Sequence, residues 1–226
     1  MKTEKSFFYH STLVFFILCI GSLFVCSGCS WFETKKEKSA EELASEGMEA
    51  FAKEKYRKAT EAFEKLKSWY PFSKFAILAE LKIADSHYYM EEYEEAVVAY
   101  GEFENLHPRN EAIPYVIYQI GLCYFEQLES IDRDQTSTRK ALDTFNRLIR
   151  QFPGDAYALK AGEHVRKCKE NLAEHEFYVG QFYYKTKNYK AALKRFEVIL
   201  SDYPDVRINQ DVRRHISMCE TELKKE

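Results

Sequence analysis

From residue 40 onward, two small residues, an aromatic, an apolar residue and a proline return at fixed offsets. The first copy is Gly47, Ala59, Phe63, Leu66 and Pro71, and the second is Ala84, Ala96, Tyr100, Phe103 and Pro108. A third carries Gly121, Ala141, Phe145, Leu148 and Pro153, and a fourth Gly180, Ala192, Phe196, Ile199 and Pro204. From the alanine to the proline is twelve residues in all four copies, a regularity that chance rarely supplies. The pattern predicts antiparallel helix pairs. The first small residue lies where helix A must approach helix B closely, and the alanine answers from helix B. The aromatic then fills the gap towards the neighbouring repeat. Proline, preceded in turn by Tyr70, His107, Phe152 and Tyr203, ends helix B because it lacks an amide donor and clashes with the preceding turn.

These are the marks of the tetratricopeptide repeat, a helix pair of about 34 residues. The expected fold is all-α, a right-handed α-solenoid superhelix of about five helix pairs, incomplete ones included. It has no single closed core, and each repeat is stabilised by the next. Two departures stand out. In the third copy Ala141 follows Gly121 by twenty residues instead of twelve, which places a polar inter-helix loop over Glu129–Thr138. Pro153 and Pro204 are 51 apart, leaving room for an additional helix over about Ala156–Lys169. A last helix from about Asn209 to Lys224 has no partner and should cap the stack.

The start of the chain follows a different pattern. Lys2 and Lys5 precede an apolar run, Leu13–Val25, that closes on Cys26-Ser27-Gly28-Cys29. A basic start, an apolar stretch of about 13 residues and small residues before a cut site are the layout of an export signal. The run is short for a stable membrane span. Its ending resembles the bacterial lipobox, in which the cysteine is acylated and becomes the mature N-terminus, although Cys26 stands where an aliphatic residue is usual. Cys29 is therefore the expected lipidation site, with secretion without lipid and a retained signal anchor as the alternatives. Ser30 in place of Asp implies, by resemblance to the Gram-negative sorting rule, the outer membrane and its periplasmic face. The predicted organisation is a lipoprotein signal over 1–28, a lipidated tether over 29–38 and a repeat domain over 39–226. The nine residues after Cys29 reach at most about 30 Å, which would hold the body close to the membrane.

Composition narrows the class further. Eight glycines and five prolines in 226 residues argue against a sandwich or barrel of many short strands. A mean hydropathy of -0.48 excludes a polytopic membrane protein. With 33 basic and 36 acidic residues the net charge of -3 offers no field for nucleic acid. Removing 1–28 takes Lys2, Lys5 and Glu4 and leaves a net of -4. Beyond Cys29 the remaining cysteines, Cys123, Cys168 and Cys219, are odd in number and scattered through helices, so buried free thiols are expected in place of a disulfide framework.

No phosphate loop, nucleophile elbow or paired carboxylate site is present in the sequence, and no catalytic residue or cofactor is expected. The nearest approach to a metal motif is His164 with Cys168 and His215 with Cys219, each at i,i+4. Core packing is the preferred reading of both, and no metal is expected. The helix A positions flanking the small residues are more informative, since in this repeat class they line the inner concave surface. They are Met48 and Phe51; Leu78, Leu81, Asp85, Tyr88 and Tyr89; and Tyr115, Tyr118, Leu122 and Phe125. As a set they fit a groove for an extended peptide, because aromatics with polar tips bury apolar area while bonding a backbone. Inter-helix packing is the alternative for any one of them. Charge runs such as Lys53-Glu54-Lys55 and Glu91-Glu92 read as solvated faces or turns. Arg195, beside Phe196 on an outer helix, is a candidate for a partner contact, with simple solvation as the alternative.

The mature chain also resembles the ComL (BamD) family of outer-membrane β-barrel assembly lipoproteins. The resemblance rests on the lipobox and short tether, then Tyr70-Pro71-Phe72-Ser73, then Ile131-Asp132-Arg133-Asp134-Gln135 in the long loop. It also covers Leu172-Ala173, Glu176-Phe177-Tyr178-Val179 and Phe182-Tyr183-Tyr184. The chain departs from the family at Cys26 and in lacking a longer C-terminal tail. The resemblance implies a non-enzymatic subunit that acts with other lipoproteins of the complex. Its C-terminal repeats would dock on a POTRA domain of a BamA-type barrel protein, and its N-terminal repeats would help recognise unfolded outer-membrane proteins. Carried over, Tyr70, Phe72 and the first groove become substrate-recognition candidates and Arg195 a docking candidate. Other envelope scaffolds built on these repeats, for pilus assembly or cell division, are the alternative function.

Overall fold

The computed structural model describes residues 37–225. The export signal over 1–28, Cys29 and the tether up to residue 36 lie outside the described residues. Among the described residues there are nine α-helices and no strand. In chain order they are α1 (Ala40–Ala52), α2 (Tyr56–Trp69), α3 (Ala76–Tyr89), α4 (Tyr93–Leu106), α5 (Ile113–Glu126), α6 (Thr136–Gln151), α7 (Ala156–Lys185), α8 (Tyr189–Asp202) and α9 (Asn209–Leu223). Each helix packs on the next in sequence, and α5 also reaches α7. The chain is an all-α solenoid of four helix pairs, α1/α2 to α7/α8, followed by α9 on the open face of α8.

The helix ends follow from local chemistry. Ser39 starts α1 with a capping box: its hydroxyl accepts the Glu42 amide at 3.2 Å, and the Glu42 carboxylate accepts the Ser39 amide at 2.7 Å. Tyr70, His107, Phe152 and Tyr203 end the four B helices with nearly one backbone geometry, φ of -132°, -127°, -131° and -131° and ψ of 54°, 51°, 59° and 57°. A residue before proline is driven out of the helical region by the ring, so all four stops share one cause. Each stop still donates its amide to the carbonyl four residues back, on Leu66, Phe103, Leu148 and Ile199 respectively. The short A-to-B turns pass through Glu54, Glu91 and Lys187, the non-glycine residues at positive φ among the described residues. The charge runs around Glu54 and Glu91 are thus turns.

The small residues do steric work. A Cβ built on Gly47, Gly121 or Gly180 would lie 2.5 Å from the ring of Phe63, Phe145 or Phe196 respectively. The alanines Ala59, Ala96, Ala141 and Ala192 on the B helices are fully buried. In the second copy Ala84 and Tyr100 take the places of glycine and phenylalanine, and both are completely buried.

Two boundaries differ from the sequence expectation. The additional helix over 156–169 and helix A of the fourth copy are one continuous 30-residue helix, α7, started by Asp155, whose carboxylate accepts the Tyr157 amide at 2.7 Å. Its first half joins the central core through Ala158, Ala161 and Cys168, and its second half joins the C-terminal core through Ala173 and Phe177. The inserted loop is also shorter than expected, since Thr136, Ser137 and Thr138 form the first turn of α6. Asp134 accepts the Thr136 amide at 2.8 Å, and buried Gln135 ties the loop together by donating to the Ser130 and Arg133 carbonyls. His175 on α7 anchors it from below through the Ile131 carbonyl at 2.6 Å.

Candidate recognition surface

The frame explains which side chains meet. Eleven residues after each B-helix proline stand Lys82, Gln119, His164 and His215, and four residues further on stand Ser86, Cys123, Cys168 and Cys219. The latter four are completely buried in equivalent places. The two His-Cys pairs are therefore repeat positions on separate helices. His164 stacks on Phe145, with ring centroids 5.0 Å apart, and His215 lies against Phe196 at 5.3 Å. Burial pushes the Cys123 and Cys168 thiols up to about 12, which keeps them protonated at neutral pH.

Asp85 organises the middle of the inner face. It is buried, and one carboxylate oxygen accepts the hydroxyls of Tyr100 and Tyr115, each at 2.7 Å. The other oxygen accepts the Lys82 ammonium at 2.7 Å. Gln119 donates to both phenol oxygens, at 3.0 Å for Tyr115 and 3.3 Å for Tyr100. Burial first, and then the Asp85 charge, push both phenols well above the usual tyrosine value, so they remain donors. The Lys82 ammonium also sits 4.5 Å from the Phe51 ring centroid. Asp85 joins α3, α4 and α5, and both of its carboxylate oxygens are engaged within the fold.

Around this network the other candidate aromatics fall into two ring clusters, while Phe177, Tyr184, Tyr189, Phe196 and His215 form a further ring group across α7 to α9. Phe51, Tyr56, Tyr88, Tyr89 and Tyr93 form the first across α1 to α4, with Tyr56 and Tyr89 stacked at 5.1 Å. Tyr89 remains about half exposed, and Met48, three residues before Phe51 on α1, is also exposed. Desolvation raises Tyr88 to about 12, with Glu126 adding to the effect. Tyr115, Tyr118, Phe125, Tyr157 and His164 form the second cluster across α5 and α7, over Phe145 of α6. The Tyr118 hydroxyl lies 3.1 Å from His164 Nε2. Leu78, Leu81 and Leu122 are half-buried, and Leu81 and Leu122 pack against the central core.

The remaining candidates lie apart. Tyr70 packs into the first core cluster, whereas Phe72, two residues on, is fully exposed. Trp69 beside them is 51% exposed and belongs to the same corner. Arg195 on α8 donates to Glu176 on α7 at 2.9 Å, and that bond raises its pKa. Its guanidinium remains partly open to solvent, on a different part of the solenoid from the ring clusters. Tyr56, Tyr93, Tyr157 and Lys82 are surface-forming residues that inspection of helix A positions passes over. For Tyr56 and Tyr93 a signal existed, since both stand three residues before the conserved-offset alanines Ala59 and Ala96, as Tyr189 does before Ala192.

Helix pairs stacked by small-to-aromatic contacts, four times over in one all-α solenoid, define a protein of the tetratricopeptide-repeat class. The chain belongs to the family described as YfiO, outer membrane lipoprotein, whose model matches residues 36–219. It is 36% identical over 161 residues to the outer membrane protein assembly factor BamD of Rickettsia prowazekii, covering 71% of this chain and 64% of that protein. The BamD of Caulobacter vibrioides is 27% identical, covering 81% and 61%, and that of Neisseria meningitidis serogroup B is 29% identical, covering 83% and 73%. The chain thus spans less than two thirds of the length of the first two relatives. A thermophilic TPR protein of Thermus thermophilus matches 81% of this chain and 100% of its own at 17% identity, with a TM-score of 0.45.

Proposed function

We propose that this chain is a non-enzymatic subunit of the machinery that assembles β-barrel proteins into the outer membrane, held at the periplasmic face by lipid on Cys29. The observation that carries this reading is membership, over residues 36–219, of a family whose relatives bear the name outer membrane protein assembly factor. The physical support is the inner face. Its two ring clusters offer phenol edges and faces, among them those of Tyr88, Tyr89, Tyr115 and Tyr118, to an extended segment with aromatic side chains, the chemistry of an incoming barrel strand. Exposed Phe72 and Trp69 offer a second apolar contact at the α2–α3 corner, apart from the rings. The solvent-open edge of the Arg195–Glu176 pair is the docking site for a BamA-type barrel protein with POTRA domains, and further lipoproteins of the complex complete the assembly.

The test is affinity purification of the lipidated protein from membranes, beside an Arg195→Glu variant whose fold is checked by circular dichroism. A large barrel protein with POTRA repeats is expected to copurify with the wild type and to be depleted with the variant. Its absence from both, with pilus or division proteins in its place, would move the assignment to another envelope scaffold.

A further inference from the structure

On α3, Ile83 and His87 point away from Leu81 and Asp85, so they face the side opposite the inner surface. There α2, α3 and α4 enclose an open groove of about 650 Å³. Its apolar part is Ile83, Val98 and Ala99, and it continues past Phe103 to Leu106. Val98 is 61% exposed and Leu106 63% exposed, an unusual display of aliphatic surface on a helix whose other apolar positions are packed.

Charge identifies what fits. Glu64, Glu94, Glu95 and Glu102 rim the apolar strip, and among the described residues none of the four has an ion-pair partner. Against them stands Lys67, while His87 is already paired with Glu92 at 2.7 Å. Shape points the same way. Glu94, Val98 and Glu102 follow each other at i, i+4 and i+8 on α4, beside Glu95, Ala99 and Leu106, and such a ridge leaves the groove that a second helix fills. We propose that this groove docks a basic amphipathic helix of a partner protein. An apolar stripe of the ligand would lie over Ile83 and Val98, and its lysines or arginines would meet the glutamates. From Glu94 to Leu106 the strip is about 18 Å long, enough for about three turns. The site is separate from the ring clusters and from Arg195, so it stands or falls independently of the function proposed for them.

A labelled synthetic helix of about 14 residues, with leucines at i, i+3, i+4 and i+7 and lysines elsewhere, is titrated by anisotropy against the full-length protein in maltoside. It is compared with Val98→Asp and with the double variant Glu95→Lys/Glu102→Lys. All three substituted positions are exposed, so circular dichroism and urea midpoints should match the wild type. Binding is expected to weaken about tenfold or more in each variant, to fall with added salt, and to vanish when glutamate replaces lysine in the peptide. Equal affinity for the wild type and both variants overturns the proposal, as does no binding to the wild type. A photo-cross-link from position 98 in cells that joins two copies of this chain, or that attaches lipid, overturns it as well.

Discussion

Asp85 orders more of the inner face than any other side chain. Two phenols and an ammonium converge on one carboxylate that is 1% exposed, and Gln119 completes the phenols' bonding. Asp85→Ala leaves three donors without their acceptor in a low-dielectric site and should cost about 3 kcal/mol in urea unfolding. Asp85→Asn keeps a carbonyl acceptor and should cost less; equal stability of Asp85→Ala and the wild type would contradict this account. His164 makes a pH prediction. Its Nδ1 is buried without a hydrogen-bond partner among the described residues, and desolvation, helped by Lys167, holds its pKa below the ordinary histidine value despite Glu163 and Glu126. The unfolded chain therefore takes up a proton before the folded chain does. The contribution of the neutral ring is present above the unfolded pKa of about 6.5 and is lost as pH falls from there towards the folded pKa. His164→Phe should lose less stability than the wild type between pH values of about 7.5 and 5. Identical slopes in paired urea titrations would contradict that.

Between elements, the decisive quantity is how closely an A helix approaches its B helix. At Gly121 a methyl group would enter the Phe145 ring at 2.5 Å, and that ring is held on its other side by His164. Gly121→Ala should therefore destabilise by about 1–3 kcal/mol in spite of the better helix propensity of alanine. Gly162, mid-helix in α7 and exposed, meets nothing within 4 Å, so Gly162→Ala should stabilise by about 0.5–1 kcal/mol. Urea midpoints moving in the same direction for both variants would refute the distinction. This level of the fold was the most legible in the sequence, because one proline and one aromatic per copy set both the helix end and the contact. Less legible was the continuity of α7. Lys169-Glu170-Asn171-Leu172-Ala173 contains no breaker, yet the spacing of prolines invites two helices. The surface was legible in part. Spacing along the A helices finds Phe51, Tyr88, Tyr89, Tyr115, Tyr118 and Phe125, which do gather in ring clusters. It cannot reveal that Asp85 is spent on Tyr100 and Tyr115, which are 15 and 30 residues away on other helices. Tyr157 was hidden for a related reason: no B helix follows the first half of α7, so Arg166 stands where a small residue would have marked the repeat.

For the whole molecule, the buried residues form three clusters strung along the solenoid, α1 to α3, α3 to α7, and α7 to α9. Such a stack couples neighbours and leaves long faces open, which suits a protein that holds several partners at once. The inner rings, the Arg195 edge and the acidic outer groove are three such faces. The first two rest on the proposal that the chain serves assembly of outer-membrane β-barrels. The most direct test is depletion of the protein in its own cells, followed by measurement of folded barrel proteins in the outer membrane by their heat-modifiable migration on gels. Folded barrels are expected to fall as the protein is lost while unfolded forms gather in the periplasm, with Cys29-bearing protein, but not the wild-type body without its lipid, restoring them. Folded barrel levels that stay unchanged after full depletion would contradict it.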